Sequence, residues 1–346
     1  MRAAALNNSK DLPAFRRALL RWYDRHSRDL PWRKTRDPYR VWLSEIMLQQ
    51  TRVAAVLEHY RIFLERFPNV GALAAANEDA VLATWSGLGY YRRARMLHQC
   101  AIELVQNHES RFPQSAETLQ TLPGIGRYTA AAVASIVFHE PVAVVDGNVE
   151  RVVQRLTGRT LRQPQIWQHA QLLLKPSRPG DFNQAMMELG ATVCLPRDPK
   201  CPTCPVRKWC ATEQSRQGTN KTITMERRAP SSGKASALSK GRQTRKEVWC
   251  LLNQRDGRVR LVQRPKNSPL MPGMWELPSL PQKPRRALAS VPWRTFHHSI
   301  TTTDYTVYVH RGPVRVAKSK WTSVADLPRF PVTGLTRKIL KAASII

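Results

Sequence analysis

Two carboxyl residues are candidates for acid–base chemistry because the sequence places them in different environments. Glu45 lies in a helical pattern with an apolar face, with Val41 four residues before it and Leu48 three after it. Such a face removes hydration, so the pKa of the carboxyl group rises and the group can remain a protonated acid. Asp146 precedes a helix predicted to begin at Val149, where backbone N–H groups favour the ionised form. Acid and carboxylate pairs of this kind break glycosidic bonds; a satisfied core Glu and a plain N-cap Asp are the alternatives.

A glycine turn between two helical segments is a second candidate site. Residues 122–129 are Leu-Pro-Gly-Ile-Gly-Arg-Tyr-Thr, and Gly124 and Gly126 can adopt positive φ without a steric penalty. The turn leaves backbone N–H groups, with Arg127 beside them, at a helix start, which suits a phosphate. An ordinary helical hairpin without a ligand is the alternative, and the nearby Asp146 favours the functional interpretation.

Cysteine spacing indicates a metal or cluster site. Four of the six cysteines form the pattern C-x6-C-x2-C-x5-C, at Cys194, Cys201, Cys204 and Cys210. Without a secretory signal, metal or cluster binding is favoured over disulfides. Four thiolates suit zinc or a [4Fe–4S] cluster. Zinc ribbons usually supply two C-x2-C pairs and this run has one, so the spacing favours iron–sulfur and leaves zinc open.

Aromatic, arginine and amide side chains near two further segments suit nucleic-acid contact. Residues 85–95, Trp-Ser-Gly-Leu-Gly-Tyr-Tyr-Arg-Arg-Ala-Arg, join a glycine turn to aromatics and arginines that could stack on bases and contact phosphates. Gln49 and Gln50 interrupt an apolar helix, and amides can bind base edges. A solvated basic turn and a solvated helix edge are the respective alternatives.

Composition and charge restrict the class of protein. The 346 residues allow two domains, and the net charge of +30 favours a polyanionic partner, usually nucleic acid. No apolar run is long enough to cross a membrane, and residues 1–11 contain no signal-peptide core. We therefore expect a cytoplasmic protein without a membrane partner, associated with the nucleoid through DNA.

The elements that must position these residues form three predicted regions. Residues 12–211 are mostly helical by apolar periodicity and contain no convincing strand. Helices are predicted near 12–23, 37–63, 78–85, 91–107, 116–122, 128–138, 149–155, 166–174 and 181–190. Residues 212–246 are a basic, Ser- and Gly-rich linker. Residues 247–346 are a small α+β domain, with strands near 247–253, 259–263 and 304–310, a turn at Asp256-Gly257 and a helix after Thr333.

Taken together, these motifs resemble the MutY family of adenine DNA glycosylases, of the helix–hairpin–helix superfamily. The resemblance covers nearly all of residues 12–210 in the expected order, so it is highly specific. Its motifs are Leu-Pro-Trp-Arg (30–33), Trp-Leu-Ser-Glu-Ile-Met-Leu-Gln-Gln-Thr (42–51), Gly-Leu-Gly-Tyr-Tyr (87–91), Leu-Pro-Gly-Ile-Gly-Arg (122–127), Val-Asp-Gly-Asn-Val (145–149), Phe-Asn-Gln-Ala-Met-Met-Glu-Leu-Gly (182–190) and the cysteine run.

The resemblance implies excision of adenine opposite 8-oxoguanine or guanine in double-stranded DNA, in base-excision repair, by a monomer. It implies that Glu45 protonates N7 of the flipped adenine and that Asp146 stabilises the oxocarbenium-like sugar or bonds to it transiently. Tyr128 and Asn148 would support the sugar and the attacking water. Glu188 would face the amino edge of the adenine, in a pocket lined by Arg28, Leu30 and Trp32, and Gln50 and Tyr90 would wedge into the duplex beside the flipped base. The cysteines would hold a structural [4Fe–4S] cluster.

One residue separates this family from the related endonuclease III, which shares the scaffold and the cluster. Endonuclease III has a lysine just after the Gly-x-Gly-Arg motif, and its amine attacks the sugar and cleaves the strand through a Schiff base. This chain has Tyr128 there. We therefore expect a monofunctional glycosylase; an endonuclease III-like pyrimidine glycosylase and a non-catalytic DNA-binding protein are the alternatives.

The C-terminal region resembles, more weakly, the Nudix-like domain that recognises 8-oxoguanine in this family. Residues 271–278, Met-Pro-Gly-Met-Trp-Glu-Leu-Pro, match a Gly-x-Trp-x-x-Pro segment, and the acidic Nudix box is absent. The usual Phe-Ser-His loop is Phe296-His297-His298 here, followed by Ser299. Either the loop is shifted by one residue or His297 replaces the serine. Glu150, where relatives often carry a basic residue, is expected to weaken a phosphate contact slightly.

Overall fold

The computed structural model describes residues 11–218, 244–280, 291–300, 303–312 and 318–346. It divides into two compact units, one of residues 1–50 and 100–234 and the other of residues 51–99 and 235–346. Residues 51–99, which the sequence grouped with the helical domain, fall in the second of these units. The predicted boundaries at 211 and 247 remain predictions, and most of the predicted linker lies outside the described residues.

The described part of the first unit is helical, as predicted. It contains α1 (Leu12–His26), α2 (Pro38–Leu48), the end of α6 (Arg92–Asn107), α7 (Ala116–Leu119), α8 (Arg127–Val137), α9 (Gly147–Thr157), α10 (Gln163–Leu173), α11 (Pro179–Thr192) and α12 (Ala211–Gly218). One core packs α1, α9, α10 and α11 around buried side chains that include Phe15, Leu19, Val153 and Phe182. Asp146, the residue before α9, is therefore attached to a helix that packs in this core.

The predicted long helix over residues 37–63 is wrong. Asp37 caps α2 by accepting a hydrogen bond from the Arg40 N–H at 2.9 Å, but α2 ends at Leu48 and α3 (Val53–Arg66) starts four residues beyond Gln49. Gln50 has a φ of 56°, a left-handed conformation that breaks an α-helix. The apolar periodicity continues across the break, so the pattern alone could not locate it.

The glycine turn lies between α7 and α8, as predicted. Gly124 has a φ of 75°, and Gly126 is the N-cap of α8 without a capping side chain. Ser115 caps α7 by accepting a hydrogen bond from the Thr118 N–H at 3.2 Å. The start of α8 therefore has no side-chain cap, and its first backbone N–H groups lie beside the turn.

The second unit combines helices with two four-stranded sheets. Its helices are α3, α4 (Val70–Ala74), α5 (Glu78–Trp85), the start of α6 and α13 (Gly334–Ala342). The strands are β1 (Thr244–Leu252), β2 (Gln254–Arg255), β3 (Arg258–Gln263), β4 (Trp275–Glu276), β5 (Ser279–Leu280), β6 (Arg294–Ile300), β7 (Thr303–Arg311) and β8 (Ser319–Ser323). One sheet has the order β5-β1-β7-β6, with β1 and β7 parallel; in the other, β3 pairs with β2, β4 and β8.

The turn at Asp256-Gly257 joins β2 to β3, as predicted. Asp256 and Gly257 have φ values of 48° and 67°, which match the two-residue hairpin turn that suits strand twist. The helix predicted after Thr333 is α13, which Thr333 caps through the Thr336 N–H at 3.3 Å. β6 and β8 were not predicted, because their polar outward residues hide the alternation.

The contact between α11 and α9 gives a test of packing. A Cβ atom added at Gly190 would lie 2.6 Å from the Cβ of Asn148 and 3.0 Å from its carbonyl oxygen. Gly190→Ala should therefore push the start of α9 away and lower the free energy of unfolding by about 1–3 kcal/mol. Thermal unfolding measures this loss.

Gly147→Ala is the matched control, because no heavy atom lies within 4 Å of its added Cβ. Its melting temperature should stay within about 2 °C of the parent protein. Equal melting temperatures for the two variants would contradict the close packing of α11 on α9.

Candidate active site

Glu45 is a buried carboxyl group held by one hydroxyl. It lies in α2, its side chain is almost fully buried, and the Tyr128 hydroxyl donates a hydrogen bond to Glu45 Oε2 at 2.7 Å. Burial raises the pKa of Glu45 to about 7, the Tyr128 hydrogen bond opposes the rise, and the charge of Asp146 adds to it. A carboxyl group with a pKa near neutrality can donate a proton at physiological pH. The pKa of Glu45 is therefore raised by burial, in the direction expected from the apolar helix face, and its role as an acid stays a prediction.

Asp146 is the N-cap of α9, which begins at Gly147, two residues earlier than predicted. Asp146 Oδ1 accepts the Val149 N–H at 2.7 Å, and Oδ2 accepts the Asn148 side-chain amide at 2.8 Å. The expected effect on ionisation needs correction: burial raises the pKa of Asp146, and these hydrogen bonds only partly oppose the rise. The sequence identified the cap but could not show that the cap itself is buried.

Asn148 is fixed by an arginine that the sequence analysis did not single out. Arg151 Nη2 donates to Asn148 Oδ1 and to the Gly190 carbonyl, both at 2.8 Å, and Arg151 Nε donates to the Cys194 carbonyl at 2.9 Å. One guanidinium thus joins the start of α9, the end of α11 and the first residue of the cysteine run. The spacing of three residues from Asn148 on a helix was the available signal.

Tyr128 lies at the first turn of α8, where its partly buried side chain packs against an apolar cluster that includes Val41 and Val144. Its hydroxyl is 3.5 Å from Met187 Sδ in addition to the contact with Glu45. Burial, with the charges of Glu45 and Asp146, raises the pKa of Tyr128 well above its ordinary value. The phenol therefore stays neutral and acts as a hydrogen-bond donor rather than as a base.

Glu188 has the opposite electrostatic environment to Glu45. Its side chain is completely buried in α11, and Arg28 contacts both carboxylate oxygens at 2.7 Å while Arg33 contacts Oε2 at 2.7 Å. Burial would raise the pKa of Glu188, but the hydrogen bonds and charges of the two arginines outweigh it and lower the pKa to about 2. Arg33 was not among the predicted site residues, although it belongs to the Leu-Pro-Trp-Arg motif.

The predicted pocket residues are placed unequally. Leu30 and Trp32 are both buried next to this cluster of ion pairs. Arg28 keeps 40% of its side chain exposed, so it is the member that a ligand can reach. Glu188 binds arginines in this structure, and its predicted contact with an adenine amino group stays a prediction.

The three residues predicted to contact bases lie at the end of a helix or at left-handed backbone positions. The Gln49 amide donates to Thr129 Oγ1 at 3.3 Å, and Gln50 is exposed at its left-handed backbone position. In the second unit, Tyr90 is 56% exposed, has a φ of 48° and lies under the Arg93 guanidinium at 5.5 Å. Exposed side chains on such backbone positions are available to a ligand; their roles beside a flipped base stay predictions.

The Arg127 side chain supplies a positive charge next to the glycine turn. The Arg127 guanidinium, at the first residue of α8, lies 3.9 Å from the ring centroid of Trp167. Gly124 and Gly126 are exposed on the adjoining turn. The turn therefore presents helix-start N–H groups and a positive charge together, as the phosphate-binding prediction requires.

The cysteine run forms one pocket. All four thiols are free and partly buried, and all four line a cavity whose wall also includes Arg155, Val193 and Arg207. Arg155 Nη1 lies 3.2 Å from Cys194 Sγ and 2.7 Å from the Leu195 carbonyl. Among the described residues, no three Cys, His, Asp or Glu side chains converge as they would on a single ion. What the thiols can do together is bind a group that takes one thiolate at each corner.

Residues 296–299, which depart from the family's Phe-Ser-His pattern, lie on strand β6. Phe296 is buried in the core of the second unit, His297 and Ser299 are exposed, and His298 is half-buried. Because side chains alternate along a strand, His297 and Ser299 share one face. Ser299 Oγ lies 2.6 Å from Asp304 Oδ1, and Lys338 donates to the His297 carbonyl at 3.0 Å. Burial and the Lys338 charge lower the pKa of His298.

No described helix has the length and apolar character needed to cross a membrane.

Comparison with known proteins gives consistent similarities. A family model described as HhH-GPD superfamily base excision DNA repair protein matches residues 43–176. An adenine DNA glycosylase of Homo sapiens is 40% identical over 80% of this chain and 59% of that protein. One from Mus musculus is 41% identical over 79% of this chain and 62% of that protein. The chain thus spans about three fifths of these relatives.

Among solved structures, a thermostable thymine-DNA glycosylase is 30% identical, with a TM-score of 0.57, and aligns with 60% of this chain and 98% of its own. An endonuclease III in a trapped covalent intermediate with DNA has a TM-score of 0.53 at 21% identity, and aligns with 61% of this chain and 99% of its own. At that identity the likeness supports the fold alone.

The ion pairs of Glu188 give a prediction on acid stability. A carboxyl group with a lowered folded pKa stabilises the protein above its unfolded pKa, and the stabilisation is lost as the pH falls through the folded pKa. Ionised Glu188 should therefore contribute roughly 2–3 kcal/mol to the free energy of unfolding, and this contribution should disappear between about pH 4.5 and pH 2. The figure is lower than the pKa shift alone would give, because Arg28 is partly exposed and solvent screens its charge.

Urea unfolding over this pH range should show a weaker pH dependence in Glu188→Gln than in the parent protein. Asp29→Asn is the control, because Asp29 and Lys34 form an exposed ion pair, and it should leave the slope unchanged. An unchanged slope in Glu188→Gln would show that the arginines do not hold the carboxylate as described.

Proposed function

Because the chain belongs to the MutY family of adenine DNA glycosylases in the HhH-GPD superfamily, we propose that it hydrolyses the N-glycosidic bond of adenine opposite 8-oxoguanine or guanine in duplex DNA. The observation that carries the proposal is the buried Glu45, hydrogen-bonded to Tyr128 and with a pKa raised to about 7, in the electrostatic range of Asp146. An acid near a second carboxyl group is the pair that glycosidic cleavage needs.

The proposed reaction begins with proton transfer. Adenine is a poor leaving group until it is protonated, so Glu45 donates its proton to N7 and the bond from N9 to the sugar C1′ breaks with both electrons going to the base. Asp146 stabilises the positive charge that develops on the sugar ring. A water molecule then attacks C1′ and loses a proton, which leaves free adenine and an abasic site.

The remaining residues orient these groups. Tyr128 stays neutral and fixes Glu45, and Asn148 fixes Asp146 through its amide. We propose that Arg28 and Glu188 contact the flipped adenine, with Leu30 and Trp32 as the apolar wall. Gln49, Gln50 and Tyr90 contact the duplex next to the vacated position, and Gly124, Gly126 and Arg127 bind a backbone phosphate.

The cysteine pocket fits a [4Fe–4S] cluster. Four free thiols line it, a basic shell that includes Arg155 and Arg207 surrounds it, and one thiolate for each iron is the usual ligation. Cys194, Cys201, Cys204 and Cys210 would hold the cluster. Its contribution would be to fold this loop against α9 and α11, since no step of the hydrolysis needs an electron.

The second unit is proposed to recognise the opposite base. Strand alternation favours His297 at the position of the family's serine, because Phe296 is anchored in the core and is followed by an exposed residue. Ser299, on the same face, is engaged with Asp304.

The proposed enzyme acts as a monomer. We also propose a cytoplasmic location, in which the protein is associated with its DNA substrate.

Excision by a monofunctional enzyme is tested with a duplex that holds one adenine opposite 8-oxoguanine, under single-turnover conditions. Strand breaks should appear only after alkali, because Tyr128 has no amine to form a Schiff base. Breaks without alkali would favour the endonuclease III-like alternative. Binding without any product would favour the non-catalytic alternative. Guanine in place of 8-oxoguanine measures the preference that His297 and Ser299 are proposed to set.

Glu45→Gln should reduce the single-turnover excision rate by about 10²–10⁴-fold, because the amide cannot supply the proton. Binding of the duplex should change little. Glu65→Gln is the matched control: it makes the same substitution in an exposed ion pair on α3 and should excise normally. An unchanged rate in Glu45→Gln would contradict the proposed mechanism.

The cluster is tested by composition and colour. The purified protein should be brown, with broad visible absorbance, and should contain about four irons per chain. Cys204→Ala should lose iron and absorbance, whereas Cys100→Ala, at a buried thiol of α6, should keep both. Zinc in place of iron, or unchanged iron in Cys204→Ala, would contradict the cluster.

A further inference from the structure

The segment that leads to Asp146 is extended and buried, yet it belongs to no sheet in the described part of the first unit. Residues 141–145 connect the end of α8 to the cap of α9. Ala143 and Val144 are almost completely buried. Buried backbone N–H and C=O groups need partners, so the question is what pairs with this segment.

One edge of the segment is paired with the side chain of Asn183. Asn183, on α11, is 2% exposed. Its Oδ1 accepts the Val144 N–H at 3.1 Å, and its Nδ2 donates to the Val142 carbonyl and to Ser135 Oγ, both at 2.9 Å. All the contacts that hold this amide are therefore directed at the segment and at α8.

The other edge is paired with the side chain of Gln171, on α10. Its Oε1 accepts the Ala143 N–H and its Nε2 donates to the Pro141 carbonyl, both at 2.8 Å. Residues 142 and 144 thus turn to Asn183, and residues 141 and 143 turn to Gln171. This alternation is that of a central β-strand, with a side-chain amide on each side in place of a neighbouring strand.

We propose that Asn183 and Gln171 are positioning residues, which fix the segment carrying Asp146 and so set where its carboxylate lies; this inference rests on the proposed glycosylase function. Val144 is two residues before Asp146, and Asn183 holds the backbone of the segment at both Val142 and Val144. Loss of the Asn183 amide therefore lets the cap of α9 shift while the helix itself remains packed.

The two amides should differ in importance because their exposure differs. Gln171 is exposed, so water can replace its hydrogen bonds when it is removed. Asn183 is buried, so its removal leaves the Val142 carbonyl and the Val144 N–H without a partner. The effect on catalysis should follow this order.

Asn183→Leu keeps the number and branching of the side-chain heavy atoms and removes the amide. In single-turnover assays it should excise adenine at least tenfold more slowly, with the Kd for the duplex within about twofold of the parent value, because the DNA contacts are elsewhere. Gln171→Ala should remain within about threefold in rate. Ile166→Ala, a buried apolar residue of α10, is the matched control for lost stability; it should keep the parent rate at a temperature where all variants are folded.

The inference is overturned if Asn183→Leu excises no more slowly than Ile166→Ala after an equal loss of Tm, or if its rate and Kd worsen equally. Amide hydrogen exchange separates this outcome from failure of the proposed function. If the parent protein excises nothing, the function fails, and exchange alone decides the inference. Faster exchange confined to residues 141–149 in Asn183→Leu supports the positioning role of Asn183. Unchanged exchange in these residues overturns it.

Discussion

The removal of water from Glu45 is the constraint on which the candidate site depends. A carboxyl group that keeps its hydration is ionised at neutral pH and has no proton to donate. The pKa of Glu45 is raised to about 7 because its side chain is buried and its hydrogen-bond partner is a neutral hydroxyl. Glu188 is buried as completely, but two arginines hold its pKa near 2. The same physical step, burial, thus yields an acid at one position and a permanent anion at the other, according to whether a cation is supplied.

Burial of the site creates a second requirement, which is that every polar backbone group near it must find a partner. Asp146 satisfies the start of α9, and the side chains of Asn183 and Gln171 satisfy the extended segment before it. Arg151 joins the same helix start to α11 and to Cys194. The segment before Asp146 is therefore held by side chains of neighbouring helices rather than by a sheet, which explains how the described, helical part of this unit can carry a buried segment that is not a helix.

The sequence predicted the parts of this site that depend on local chemistry. The apolar face around Glu45, the cap at Asp146 and the glycine turn each follow from a few neighbouring residues, and the structure has all three. It could not predict the break at Gln50, because apolar periodicity continues across a single left-handed residue. It also missed Arg33 and Asn183, whose partners are distant in sequence, and Arg151, whose contacts with Gly190 and Cys194 are equally distant. The direction of the Asp146 pKa shift was wrong for the same reason, since burial is a property of the whole fold.

The most direct test of the account is the pH dependence of excision under single-turnover conditions with the parent protein. If Glu45 must be protonated to donate to adenine, the rate constant should be level at low pH and fall about tenfold per pH unit above an apparent pKa of about 7. A rate constant that stays level from about pH 6 to about pH 9, with the protein folded and the DNA bound throughout, would contradict the assignment of Glu45 as the buried acid.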